Sequence, residues 1–521
     1  MPHFSPVIFG LAFAALIVAL SALARRLPIP TPILQLVAGL ALGLTPAISI
    51  PELDPDLIFF VFLPPIIWSA AMFTSPREFR RNVGSIGLLA VGLVVVTAAV
   101  VAIAARTLMP GMPWAVAIAL GAIVSPPDAV AATAIVSRLP VPRRVITVLE
   151  GESLLNDASA LVIYRTAIAA AVIGRFSWGE SIVRFFIDAG IGSLVGLLVG
   201  WLVIWAMCLT KDALAETLLT LAGPYVAWLS AESLHVSAVL AAVAGGLYVQ
   251  QNLSIAVGPA SRLQIRTVWD LLIFLLNAMV FLLLGAQFGT LLAVPRAESL
   301  ATIFRTGALI AGVAIGVRLV WVPLVTIVRR ARAGAKREPP RWKSMAIVSW
   351  TSMRGVVSLA TALALPRLLA DGKPFPFRTE IILITMCVIV ITLVIQGLSL
   401  EPIIRAFRFE PEREQSDEER LARREATRRG AEALEDLARE DWVDQRDVEV
   451  LRAEVSERAR MTEQAGGSHA GRRRLRVAMI AAERRMLIRL RDEGAISDDV
   501  LRGLEQELDL ESVRAGAGNE R

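Results

Sequence analysis

Gly151-Glu152-Ser153-Leu154-Leu155-Asn156-Asp157 lies near the middle of an apolar stretch, residues 145–173, that is long enough to cross a lipid bilayer. Two further stretches repeat the arrangement: Ser125-Pro126-Pro127-Asp128 within 114–137, and Ser352-Met353-Arg354-Gly355 within 343–366. An ionisable side chain at mid-bilayer costs roughly 2.5–3.5 kcal/mol, so such groups are rarely kept without a partner or a task. Asp128, Glu152 and Asp157 together would cost about 9 kcal/mol before pairing, on the order of a whole domain's net stability. The three stretches predict a buried acidic site for an ion.

The rest of the chain supplies the membrane setting. Of 521 residues 55% are hydrophobic and the mean hydropathy is +0.61, which argues against a soluble globular domain. Thirteen apolar segments follow one another, near 6–24, 30–50, 55–73, 84–106, 114–137, 145–173, 181–209, 214–231, 234–251, 267–289, 300–328, 343–366 and 379–399. The expected fold is therefore an all-α membrane protein, with a transmembrane domain over 1–408 and a charged helical tail over 409–521. The formal net charge of +6 gives no sign of a nucleic-acid partner, because much of the basic excess sits in alternate loops. One set carries Arg25/Arg26, Arg77/Arg80/Arg81, Arg138/Arg143/Arg144, Lys211, Arg262/Arg266 and the cluster from Arg329 to Lys343. The opposite loops hold the acidic run from Glu52 to Asp56 and only scattered bases, among them Arg175, Arg296, Arg367, Lys373 and Arg378. The positive-inside rule then places the N-terminus outside and the C-terminus in the cytoplasm, in a multi-pass protein of the cell membrane surrounded by lipid. No basic residue precedes the first apolar stretch, so it reads as an uncleaved span rather than a signal peptide. Cys208 and Cys387 lie in apolar segments and the only histidines are His3, His235 and His469, which points to no disulfide framework, resident metal or cofactor.

In the tail, Glu412 to Glu440 reads as a charged helix, Gln464 to Ser468 as a break, and Arg472 to Glu493 as a basic amphipathic helix. Ser497 is placed to cap a last helix from Asp498 to Leu510. The tail is a solvated appendage, a docking segment for a regulator, or a helix lying on the inner membrane face.

Within the spans, Pro126 and Pro127 remove two backbone donors directly before Asp128, so the fifth span is expected to break near the midplane. Broken backbone in a membrane survives only where protein or water satisfies it, and such breaks line many transport sites. At 100° per residue Ser153 and Asp157 share one strip of the sixth span, and Glu152 and Asn156 the next. Carboxylate, hydroxyl and carbonyl oxygens together suit a small hard cation. Arg354, in the middle of the twelfth span, needs an acid, and Glu152 is the preferred partner because that pairing leaves Asp157 free. Arg165 and Arg318 also fall within spans and read as structural pairs or snorkelling groups. The fifth and twelfth spans cross in opposite directions, the pattern of an inverted repeat with two broken helices meeting at the midplane.

These residues resemble the sodium/proton exchanger branch of the monovalent cation:proton antiporters, the NhaP-like and NHE-like proteins. Gly151 to Asp157 is similar to that family's GESLLND signature, Ser125 to Asp128 to its unwound-helix aspartate motif, and Arg354-Gly355 to its arginine motif. Phe62 to Ile67 and Phe281 to Gly285 also match family segments, so the likeness covers roughly 10–400. It implies a homodimer in which one bundle moves against a scaffold, exchanging monovalent cations for protons. It implies Asp157 as the ion and proton carrier with Asn156 beside it, Asp128 and Ser153 as sodium-site residues, the Pro127 carbonyl as a backbone ligand, and a Glu152–Arg354 ion pair. The Asn156-Asp157 form resembles the electroneutral class, one proton for one cation. Many relatives carry an acid where Ser69 stands here, leaving a hydroxyl as the candidate ligand.

Sodium and a proton would then compete for Asp157, because burial favours the neutral carboxyl and a bound cation the charged one. No phosphate-binding loop suggests ATP use. A potassium/proton antiporter and a gated cation channel use the same acids; an intramembrane hydrolase would rest on Ser153, Glu152 and Asp157, but no histidine lies in either broken-helix motif. A receptor built on this scaffold is a further reading.

Overall fold

The computed structural model describes residues 6–24, 26–27, 29–45, 55–74, 84, 86–136, 139, 141–173, 178–293, 299–333, 342–409, 413–440, 443–463, 470–493 and six positions between 500 and 511. The chain divides into two compact units, Met1–Glu410 and Pro411–Arg521. Among the described residues the first unit is helical, without a β-strand. Its elements are α1 (Pro6–Ala24), α2 (Thr31–Gly43), α3 (Pro55–Phe73), α4 (Leu88–Leu108, opening with a π-helical turn), α5 (Trp114–Val124), α6 (Ala129–Val136), α7 (Arg143–Ile173) and α8 (Trp178–Thr210). After these come α9 (Ala213–Ser233), α10 (Ala238–Ala256), α11 (Pro259–Ala293), α12 (Leu300–Ala333), α13 (Trp342–Trp350), α14 (Val356–Leu363) and α15 (Arg378–Phe407).

Each of the thirteen apolar segments holds a helix or an interrupted pair of helices. Six helices, α4, α8, α10, α11, α12 and α15, are long and apolar enough to cross a membrane by themselves, among the described residues. The 31-residue α7 is as long, and its polar cluster sets it apart. The outer faces are apolar too: on α8, Phe186, Leu194, Leu198, Trp201 and Trp205 are exposed. A helix apolar on both its packed and its exposed sides suits lipid rather than water.

Without a hydrophobic drive between helices in lipid, close backbone approach holds them together. Gly39 and Gly43 of α2 lie against the carbonyls of Leu282 and Ala286 on α11, while Gly285 lies against Leu36 O. A Cβ at any of these three would collide with backbone. Gly192, Gly196 and Gly200 of α8 repeat the device against Ser237, Ala241 and Gly245 around α10. On α3, Trp68 is fully buried, and its ring and carbonyl fill the space that a Cβ on Gly245 or Gly246 would need. The result is a tightly packed block of α3 and α8–α10, with α2 and α11 joined by the same device.

Two prolines do not always break a helix. Pro64 and Pro65 sit inside α3, which continues through them. Pro65 removes the donor that would serve Val61 O, and Tyr225 of α9 supplies its hydroxyl to that carbonyl at 3.3 Å.

In the second unit α16 (Arg413–Leu437) and α17 (Gln445–Glu463) pack together, and α18 (Ala470–Asp492) is the basic helix. Arg452 donates to both oxygens of Glu435 at 2.8 and 2.9 Å, holding that carboxyl below its ordinary range. The pair is exposed and adds little stability. The Gln464–Ser468 break, the Ser497 cap and the loop arginines Arg25, Arg77, Arg80, Arg81, Arg138, Arg175 and Arg296 lie outside the described residues.

The glycine contacts give a paired test. Gly39→Leu should cost at least about 2 kcal/mol through backbone collision, seen as a lower unfolding temperature of the purified protein. Gly312 of α12 faces open space, with nothing within 4 Å of where a Cβ would stand, so Gly312→Ala should be neutral or stabilise by about 0.5–1 kcal/mol.

Candidate ion site

The fifth span breaks between α5 and α6, and four of the backbone groups at the break can be followed to their partners. Pro126 removes the donor for Ala122 O, which accepts instead from Ser125 Oγ at 3.0 Å. Asp128 N–H turns away from Val124 O and donates to Met353 O at 2.7 Å, in the second break. Val124 O accepts from Arg354 Nε at 2.6 Å. Pro127 O accepts from Asn156 Nδ2 at 3.1 Å.

The twelfth span breaks between α13 and α14 and is handled the same way. Arg354 N–H donates to Thr392 Oγ1 of α15 at 3.1 Å, and Arg354 Nη1 donates to both the carbonyl and the hydroxyl of Ser352. Val348 O accepts from Arg318 Nε at 2.9 Å. The interruptions thus complete each other. Arg354 sits fully buried at the carbonyl ends of both α5 and α13, where the helix dipoles are negative.

This arrangement corrects the expected Glu152–Arg354 pair. Glu152 is held bidentately by Arg318 of α12, with Nη2 to Oε2 at 2.7 Å and Nη1 to Oε1, and both side chains are about 1% exposed. Arg354 is occupied by carbonyls, so the acid goes to the arginine whose fork is free to meet it.

Asp128 opens α6 and presses against Gly355, which precedes α14. A Cβ on Gly355 would collide with Asp128 Oδ2, so any other residue there would have to displace the carboxyl. The carboxyl therefore lies beside the N-terminal ends of two half-helices, where negative charge is favoured. Asp157 is 8% exposed and, among the described residues, makes no hydrogen bond and no ion pair. Together with Asp128, Ser153 and Ser358 it lines a cavity of about 40 Å³, room for a few water-sized particles. Leu63, Ile66 and Ile67 of α3 form an apolar wall of the same cavity.

The structure therefore brings Asp157, Asp128, Ser153 and Pro127 together. Asn156 is adjacent and fully buried, but its amide staples the first break and it does not line the cavity. Ser69 does not join them: its hydroxyl donates to Ile66 O of its own helix at 2.9 Å. Thr392 escapes sequence reasoning, because a threonine in an apolar run carries no signal. No group of three or more His, Cys, Asp or Glu suited to a metal occurs among the described residues.

A family model described as "Sodium/hydrogen exchanger, transmembrane" matches residues 12–406. The chain belongs to this family. It is 33% identical to an uncharacterized Na(+)/H(+) exchanger of Mycobacterium tuberculosis over 98% of this chain and 96% of the relative. It is 32% identical to the sodium, potassium, lithium and rubidium/H(+) antiporter of Bacillus subtilis over 74% of this chain and 60% of that protein. The solved structure of the sodium proton antiporter MjNhaP1 from Methanocaldococcus jannaschii shares the fold, with a TM-score of 0.59, 21% identity and coverage of 76% of this chain and 96% of that one. The exchanger family consists of multi-pass membrane transporters of monovalent cations and protons, not of enzymes.

The corrected pairing is testable by double-mutant cycle. Glu152→Leu or Arg318→Met alone should cost about 3–5 kcal/mol by leaving a buried charge alone, while the two substitutions combined recover much of it. Thermal unfolding of the four proteins measures the coupling, and a larger coupling of Glu152 to Arg354 would overturn the assignment.

Proposed function

We propose that the chain exchanges Na⁺ for H⁺, one for one, by letting the two compete for Asp157 at a cavity that opens alternately to each side. The observation that carries this reading is that the two arginines buried among the described residues are committed elsewhere, leaving Asp157 the cavity carboxyl without a hydrogen bond or ion pair among those residues. Na⁺ fits a cavity of this size partly dehydrated, with Asp128, Ser153 and the Pro127 carbonyl as further oxygens. When the cation leaves, burial favours protonation of the same carboxyl, so each state crosses loaded.

The moving part in this proposal is the bundle holding both broken helices, and the glycine-packed block containing α3 is the scaffold. Leu63, Ile66 and Ile67 offer the bundle a wall with no polar bond to break as it slides. Thirteen crossings, an inverted repeat, the N-terminus outside, the C-terminus in the cytoplasm and pairing of two copies complete the proposal, supported by loop charge and family resemblance. The charged tail from 409 onward is proposed to act as a regulatory segment. The cation range named for the Bacillus subtilis relative makes K⁺ and Li⁺ the other ions to try.

Everted vesicles or proteoliposomes with an imposed pH gradient test this directly. Wild-type protein should collapse the gradient on adding Na⁺, without conductance, and Asp157→Asn should abolish the response. Persistent exchange by Asp157→Asn sinks the proposal, and a Na⁺ conductance favours a channel. Ser69→Ala should exchange at the wild-type rate, because its hydroxyl does not reach the cavity.

A further inference from the structure

A second cavity, of about 330 Å³ and open at its mouth, lies against the C-terminal half of α7. Ile168 and Val172 of α7, with Ala364 and Pro366 just beyond α14, make apolar walls, and Tyr164 and Arg165 supply the polar edge. Arg165 stands eight residues past Asp157, about 12 Å along the helix, and as far again from the helix end. Its side chain is exposed and makes no hydrogen bond or ion pair among the described residues. Among the described residues no carboxylate lines the cavity.

The segment that closes the crevice is held in place and is basic. Arg378 donates to Leu365 O at 3.0 Å and to Leu363 O at 3.2 Å, and Phe375 N–H donates to Arg367 O at 3.0 Å. The acids nearby in sequence are Asp371, tied to Lys373 at 2.9 Å, and Glu380 in the first turn of α15.

A guanidinium within a membrane span is stabilised by an anion, and none of the described residues supplies one. In a bilayer the anion that also brings an apolar chain is a phospholipid. Arginine meets phosphate through two parallel hydrogen bonds, and the walls match an acyl chain. We propose that this crevice binds one phospholipid with an anionic headgroup, its phosphate on Arg165 and one chain along Ile168, Val172 and Pro366. The bound lipid bridges the helix that carries Asp157 to the segment after the second broken helix, so membrane composition would reach the ion site. The binding itself does not depend on the exchange reading.

The test uses the full-length protein, delipidated in detergent and titrated with phosphatidylglycerol or phosphatidylcholine, with bound lipid counted by native mass spectrometry. One phosphatidylglycerol should be retained in preference to phosphatidylcholine, and millimolar inorganic phosphate should not displace it. Arg165→Gln should weaken its binding roughly tenfold or more, the loss of a charge-assisted pair. Ala169→Trp, at an exposed position in the crevice, should exclude the chain and carries the test if Arg165→Gln fails to fold. Unchanged phosphatidylglycerol binding in either folded variant, equal retention of phosphatidylcholine, or displacement by phosphate overturns the proposal.

Discussion

Backbone groups released inside a membrane have no water to turn to, and this structure meets that constraint by making two broken helices satisfy each other. Asp128 N–H reaches Met353 O, and Arg354 reaches back to Val124 O while holding Ser352. Each unsatisfied group would cost several kcal/mol in hydrocarbon. Neither interruption is tolerable alone. The cavity exists because the pair is stable, and the side chains around it are arranged to keep the pair in place.

Charge follows from the same geometry. Arg354 answers the negative ends of two half-helices, and Asp128 lies by the positive ends of the other two. Glu152 and Arg318 neutralise one another bidentately in a dry environment, where the pairing must be complete to be tolerated. What remains is Asp157, a buried carboxyl with no hydrogen bond or ion pair among the described residues. A single unbalanced carboxyl can take one proton or one monovalent cation, and the proposed one-for-one exchange rests on that count.

The site motifs are legible in the sequence because intramembrane polar residues are costly and therefore conspicuous. Asp128, Ser153 and Asp157 fall on the cavity as their depth and helical strip require. Partner choice is not legible. Glu152 faces two arginines at comparable depth, and helical periodicity within one span says nothing about which neighbouring helix stands opposite. Asn156 reads as a ligand because it neighbours Asp157, yet its amide donates to a carbonyl 29 residues away. Ser69 is a candidate only through its place in a motif, and its hydroxyl prefers the local carbonyl one turn back, as mid-helix serines commonly do.

The two Pro-Pro pairs show where local chemistry stops deciding structure. Pro64-Pro65 and Pro126-Pro127 remove the same donors and impose the same ring clash. Yet α3 runs on while the fifth span opens. At Val61 a tyrosine hydroxyl, 164 residues distant, replaces the missing donor in place, so the helix keeps its course. At the second pair Ser125 Oγ replaces the donor for Ala122 O locally, but Asp128 N–H finds its acceptor, Met353 O, on a segment that is itself interrupted, and reaching it pulls Asp128 out of the helical ladder. A proline pair therefore sets only the need for new partners. Whether the helix bends or breaks is set by where those partners stand, and here they stand across the cavity that Asp157 lines.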